Sequence, residues 1–136
     1  MGNINQRKLD HINIVSDGDG IDRQQCHFDR IRLTHRALPE LNLSAIDPSI
    51  MFMGKPLSFP LMISSMTGGA DEEMVRINRN LATAAEAEGI ALAVGSQRVF
   101  LSDDAARESF QLRQYAPNTL LFSNLGAVQL NYEMGF

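Results

Sequence analysis

Three almost wholly apolar runs, each turning polar at its C-terminal end, constrain this chain most. LMISS starts at Leu61, IALAVGS at Ile90 and TLLFSN at Thr119, so a unit recurs every 29 residues. Runs without polar alternation belong to strands covered on both faces, the condition of parallel sheets flanked by helices. Between the first two runs the spacing predicts a helix from about Glu72 to Glu88. Met74, Ile77, Leu81 and Ala84 or Ala85 share one of its faces, and Gly89 is its C′ stop. Between the second and third, SDDAARESFQLRQYAP predicts another helix, with Ser102 as cap, Asp103 and Asp104 favouring its N-terminal dipole and Pro117 just past its end.

A βαβαβ run of this kind fits either a barrel or a doubly wound sheet. The dinucleotide turn of the latter is normally G-x-G-x-x-G, whereas the first strand here ends SSMTGGADEE. The unit length also lies close to the roughly 31 residues of a 250-residue, eight-unit barrel. The expected fold is therefore α/β, a (β/α)8 TIM barrel of which residues 61–136 supply the first three strands and two helices. Residues 1–60 form an N-terminal lead with the substrate-binding segment and a hairpin, and its residues 1–35 are expected to lie outside the core. Its SDGDGIDRQQ stretch reads as a loop, and a hairpin turning at Gly54-Lys55-Pro56 leads into the first barrel strand. Three units of eight leave a barrel unclosed, so the chain is expected to stop partway through its domain.

At 44% hydrophobic and 21% charged, the 136 residues have the composition of a soluble globular protein. The net charge of -4 argues against a nucleic-acid surface, although a small anion needs only a few local cations. Cys26 has no internal disulfide partner, and MGNINQRKLDHINIV lacks the build of a signal peptide, which points to the cytoplasm. No apolar run reaches the roughly 18 to 20 residues that span a bilayer. A homo-oligomer is the expected assembly, its order left open.

Four constellations carry chemistry. Arg7, Lys8 and His11 would share a helical face and offer three donors to one anion, although alone they describe a solvated basic turn. Ser64 to Gly69, SSMTGG, offers hydroxyls and backbone donors where a flat ring or phosphate could rest; the plain alternative is a loop that only turns the chain. In Gly95-Ser96-Gln97-Arg98 a buried strand delivers a hydroxyl, an amide and a guanidinium to one rim, unless Arg98 merely bridges to Asp103 or Asp104. Ser123-Asn124 adds an amide that both donates and accepts. Three successive strand ends supplying polar groups at one level is what a ligand site on the C-terminal face of a barrel requires. Cys26 reads as an inert small hydrophobe, and His27 and His35 have no metal-ligand spacing.

Taken in order and spacing, RKLDH, FMGKPLSFPLMISSMTGG, AVGSQR and LLFSNLGA resemble the type 2 isopentenyl diphosphate isomerases over almost the whole chain. SSMTGG and GSQR are together quite specific, whereas the hairpin segment is shared with flavin-dependent 2-hydroxy-acid oxidases. The resemblance implies a (β/α)8 barrel holding FMN, which is reduced commonly at the expense of NADPH, with Mg2+ helping to bind the diphosphate. It implies that Arg7 and Lys8 meet the substrate diphosphate with His11 close by, and that Ser65, Met66 and Thr67 line the FMN. Ser96 would touch FMN and substrate, Gln97 and Arg98 would face the substrate, and Asn124 would bind FMN. No metal ligand and no catalytic side chain is expected within these residues, the chemistry lying on the reduced flavin. The family's later Gln, Glu, Lys and phosphate-binding loops have no counterpart here, so this stretch alone is expected to be inactive.

Two other possibilities follow from the same residues. A 2-hydroxy-acid oxidase-like barrel would share the hairpin and FMN but need a His base and an Arg clamp downstream. A flavin- or phosphate-binding fragment without catalysis would need only the strand ends.

Overall fold

The computed structural model describes residues 4–18, 26–101 and 103–132, without the side chains of Ile4, Asn5, Arg7, Lys8, Phe100, Leu101 and Tyr132. Ser102, the expected cap, lies outside the described residues, as does most of SDGDGIDRQQ.

The lead opens with helix α1 (Ile4–Ser16), continues through 3₁₀ turns at His27–Arg30 and Leu43–Ala45, and reaches an antiparallel hairpin of β1 (Ile50–Phe52) and β2 (Lys55–Leu57). Its described residues are mostly exposed, while Leu57 of β2 is buried. The hairpin turn sits one step earlier than expected. Met53 (φ 48) and Gly54 (φ 77) make it, and Lys55 and Pro56 already belong to β2, paired with Phe52 and Met51. Two consecutive residues at positive φ give the twist that suits a two-residue hairpin.

Three short strands follow: β3 (Met62–Ile63), β4 (Ala91–Ala93) and β5 (Leu121–Phe122). They pair in parallel in the order β3-β4-β5, with Met62 opposite Ala91 and Leu92 opposite Leu121. Every polar C-terminal end therefore points the same way. Only the central strand has the two-sided cover read from its composition: Leu92 is 2% exposed, whereas Met62 on β3 is 47% exposed.

Helix α2 (Glu72–Glu88) connects β3 to β4. The Asp71 side chain caps its start by accepting from Glu73 N at 2.9 Å, and Gly89, at φ 62, closes its end. Its buried row is Met74, Asn78, Ala82 and Ala85, a rotation away from the predicted stripe; Ile77 and Leu81 are only half-buried. The small alanines let α2 lie close on the sheet, where Ala82 and Ala85 join Ile90, Leu92, Val94, Leu112 and Ala116 in one apolar cluster.

The second helix is a correction. Residues 104–110 and 112–114 form 3₁₀ segments rather than a continuous α-helix. Asp103 caps the first of them by accepting from Ala105 N at 3.0 Å. Asn78 Nδ2 of α2 donates to the Ser109 carbonyl at 2.8 Å, a tertiary bond that holds this stretch against α2. Beyond β5 a six-residue helix, α3 (Ala127–Tyr132), begins, which the sequence pattern does not announce.

Candidate functional site at the strand ends

The loop after β3, the end of β4 and the loop after β5 are tied together by hydrogen bonds. Gly95 N, just past β4, donates to Thr67 O at 2.7 Å, and Gln97 N donates to Asn124 O at 2.9 Å. Asn124 Nδ2 donates to Ser65 Oγ at 2.9 Å, joining two outer strands across the middle one. Gly95 makes this crossing possible: a Cβ there would stand 2.5 Å from Thr67 O and 2.7 Å from Met66 O. No side chain could occupy that space without moving backbone.

A second layer lies beneath. Thr67 Oγ1 donates to Asn78 Oδ1, a short hydrogen bond from the loop to the buried face of α2. Gly69 N donates to Ser109 Oγ at 3.3 Å, and Ser109 Oγ donates onward to Ala106 O at 2.9 Å. Asn78 and Ser109 are both buried, so these polar atoms have exchanged water for one another. Neither was singled out from the sequence. The available signal was an amide at the centre of a helix row otherwise made of Met and Ala.

The structure gathers Ser65, Met66, Thr67, Ser96, Gln97 and Asn124 at one end of the sheet. Met66 is 51% exposed, an apolar side chain held in the open beside a polar loop. The Ser96 hydroxyl accepts from Arg98 N at 3.3 Å, starting the 3₁₀ turn of residues 97–101. Nearby, Asp103 accepts from Ala105 N at 3.0 Å and Asp104 pairs with Arg107 at 3.1 Å. Arg98 is exposed on the same rim. The Arg7 and Lys8 side chains lie outside the described residues; their backbone belongs to α1, on which His11 is exposed. Cys26 is exposed rather than buried, its Sγ 3.7 Å from Asp29 Oδ1.

At the opposite end, Glu86 of α2 fastens the approach to β5. Its carboxylate accepts from Asn118 N at 3.1 Å, Asn118 Nδ2 at 2.8 Å and Thr119 N at 2.8 Å. Desolvation works against the charge, and the donors of Asn118 and Thr119 outweigh it, holding the carboxyl at about 2. Arg113 completes the clip through Nη1, which donates to Ala116 O at 2.8 Å and Thr119 O at 2.9 Å.

Among the described residues no group of three or more His, Cys, Asp and Glu side chains could hold a metal ion, and no helix is long and apolar enough to cross a membrane.

Comparison with known proteins agrees with the strand-end motifs. The model of the FMN-dependent dehydrogenase family matches residues 4–121. An isopentenyl-diphosphate delta-isomerase of Paracoccus zeaxanthinifaciens is 58% identical over 129 residues, covering 95% of this chain and 37% of the relative. The protein of the same name from Hydrogenovibrio crunogenus is 53% identical over 133 residues, covering 98% of this chain and 39% of the relative. One from Nostoc sp. is 47% identical over 130 residues, covering 95% and 37%. The chain thus spans less than two-fifths of the length of the curated relatives it matches.

Proposed function

The chain belongs to the FMN-dependent dehydrogenase family, and from that premise we propose that it forms the N-terminal part of a type 2 isopentenyl-diphosphate isomerase. The observation that carries this is the 58% identity, over 129 residues, to a protein of that name. The full-length protein is a (β/α)8 barrel in the cytoplasm, a homo-oligomer that interconverts isopentenyl and dimethylallyl diphosphate. It uses FMN reduced by NADPH, with Mg2+ on the diphosphate.

The residues present fit a flavin. Gly95 lets the loop of Met66 and Thr67 pass over the end of β4, Met66 offers an exposed apolar contact, and Ser65 and Asn124 supply polar groups beside it. Ser65, Met66, Thr67, Ser96 and Asn124 would hold the FMN. Ser96, Gln97 and Arg98, with Arg7, Lys8 and His11 from the lead, would hold the diphosphate.

Isomerisation adds a proton to one end of an allylic unit and removes one from the other, through a state with cationic character. When bound, reduced FMN would supply proton transfer and electron density, with Ser65, Met66, Thr67, Ser96 and Asn124 as the residues that would hold it. The chain's residues orient and exclude water. Arg7, Lys8 and Arg98 grip the diphosphate as a handle, so that its binding energy places the remote double bond. The Gly95 and Asn124 contacts keep the strand-end loops in one arrangement, so little reorganisation remains for the moment of reaction.

An oxidase acting on 2-hydroxy acids would satisfy the family match equally, but the relatives' shared name favours the isomerase. The test is to purify the full-length protein, dialyse it against FMN and assay isomerisation of isopentenyl diphosphate with and without reductant. Retained FMN and turnover only under reducing conditions are expected. A colourless protein that retains no FMN overturns the proposal.

A further inference from the structure

We propose that Asn78 and Ser109, two buried side chains beneath the strand ends, are positioning residues that set the Thr67–Gly69 loop for the flavin. The inference rests on the flavin reading above.

The chemistry of the groups fixes the direction of each bond. The Ser109 carbonyl can only accept, so the Asn78 amide nitrogen must face it, at 2.8 Å. Asn78 Oδ1 is thereby turned to Thr67, and because that oxygen can only accept, the Thr67 hydroxyl must give its single proton inward. What Thr67 Oγ1 keeps for a ligand is acceptor capacity alone. One amide, 2% exposed on the inner face of α2, therefore sets both the place and the polarity of a hydroxyl at the strand ends.

Ser109 secures the same loop two residues on. Its hydroxyl oxygen accepts from Gly69 N at 3.3 Å while its proton goes to Ala106 O at 2.9 Å. The Thr67 carbonyl is held in addition by Gly95 N at 2.7 Å. Thr67 and Gly69 are thus anchored to three different parts of the chain: α2, the end of β4 and the 3₁₀ segment 104–110. A stretch with two adjacent glycines has wide backbone freedom, and without these anchors a ligand would have to order it at the cost of affinity.

The test uses the full-length protein with Asn78→Ala, Ser109→Ala, Thr67→Val and the double variant Asn78→Ala/Thr67→Val. Three quantities are read: the FMN dissociation constant, the visible absorption bands of bound FMN, and hydrogen exchange of the Gly69 amide in flavin-free protein. Asn78→Ala and Ser109→Ala are each expected to weaken FMN binding about tenfold. They should also displace the flavin bands and speed Gly69 exchange, and the double variant should bind no worse than the weaker single variant. FMN affinity and spectrum unchanged in Asn78→Ala, or losses that add in the double variant, overturn the inference. Should Asn78→Ala not fold, Ser109→Ala decides, because it removes one oxygen and leaves the volume nearly unchanged. Unsubstituted protein that retains no FMN brings down the flavin reading and this inference together. Unsubstituted protein that retains FMN, beside variants that retain it equally, brings down this inference alone.

Discussion

Asn124, beyond β5, donates from its side-chain amide to the Ser65 hydroxyl beyond β3 at 2.9 Å, although β4 runs between those strands. Neighbouring strands stand about 4.8 Å apart, so in a flat sheet the two outer strands would be nearly 10 Å from each other. The loops must therefore lean inward over the end of β4, where Gly95 has no side chain to obstruct them. A polar rim results from three strand ends that are separate in sequence.

Asn124→Ala and Ser65→Ala in the full-length protein each remove this bridge. A neutral hydrogen bond contributes roughly 0.5–1.5 kcal/mol net, so if the bridge serves only to join the loops, the thermal midpoint should fall slightly. If these residues also bind FMN, affinity should fall by more than the loss of stability explains. Equilibrium dialysis beside a melting curve separates the two, and unchanged affinity in both variants would remove Ser65 and Asn124 from the flavin site.

Gly95→Ala should be the most damaging small change at the rim. The added Cβ would lie 2.5 Å from Thr67 O, and relief requires moving backbone rather than rotating a side chain. The loss of FMN binding is expected to exceed that of either bridge variant. An alanine variant with the unsubstituted protein's affinity would show that the 65–67 loop is free to retreat.

Much of this architecture was legible because it depends on patterns of solubility and backbone freedom. Apolar runs at Leu61, Ile90 and Thr119 mark the strands, and Gly89 marks the end of α2 because a left-handed cap favours glycine. The polar strand ends were legible for the same reason. Asn78 was not, since a helix row is read for hydrophobicity and a buried amide depends on partners distant in sequence. The stretch 104–114 has good local helix signals, and those signals could not reveal its tertiary bonds to α2 and to the 67–69 loop. The one-step error at the hairpin arose from giving Lys55-Pro56 to the turn, when positive φ at Met53 and Gly54 completes it first.

Glu86 predicts a distinct acid response. Its folded pKa is about 2, below the ordinary 4.5, so its contribution to stability is complete above 4.5 and is lost as pH falls towards 2. Glu86→Gln should lower stability at neutral pH and flatten the dependence between those limits, the two proteins converging near pH 2. Denaturant melts at stepped pH check this. Parallel curves for the two proteins would mean that the Asn118 and Thr119 contacts do not favour the ionised form.

Arg7→Ala and Lys8→Ala in the full-length protein should raise KM for the diphosphate and leave FMN affinity nearly intact, as the lead is proposed to close over the diphosphate rather than the ring. Loss of one charge-assisted contact costs on the order of 1.5–3 kcal/mol. Unchanged Michaelis constants in both variants would return RKLDH to a solvated basic turn.

The 136 residues made by themselves should not catalyse the isomerisation. They match 37% of the length of the Paracoccus relative and contribute one three-stranded parallel sheet among the described residues. Of its outer strands, β3 keeps Met62 47% exposed and β5 is half-buried, so both lack the cover that parallel strands ordinarily have. An uncovered edge is a template for pairing with another chain, and a diphosphate held from one side only would lose the positioning that supplies most of the rate. Self-association, or weak FMN binding without turnover, is the expected behaviour. Size-exclusion chromatography and an assay with reduced FMN, Mg2+ and isopentenyl diphosphate would show it, whereas turnover comparable to the full-length protein would mean that these three strands already hold a complete site.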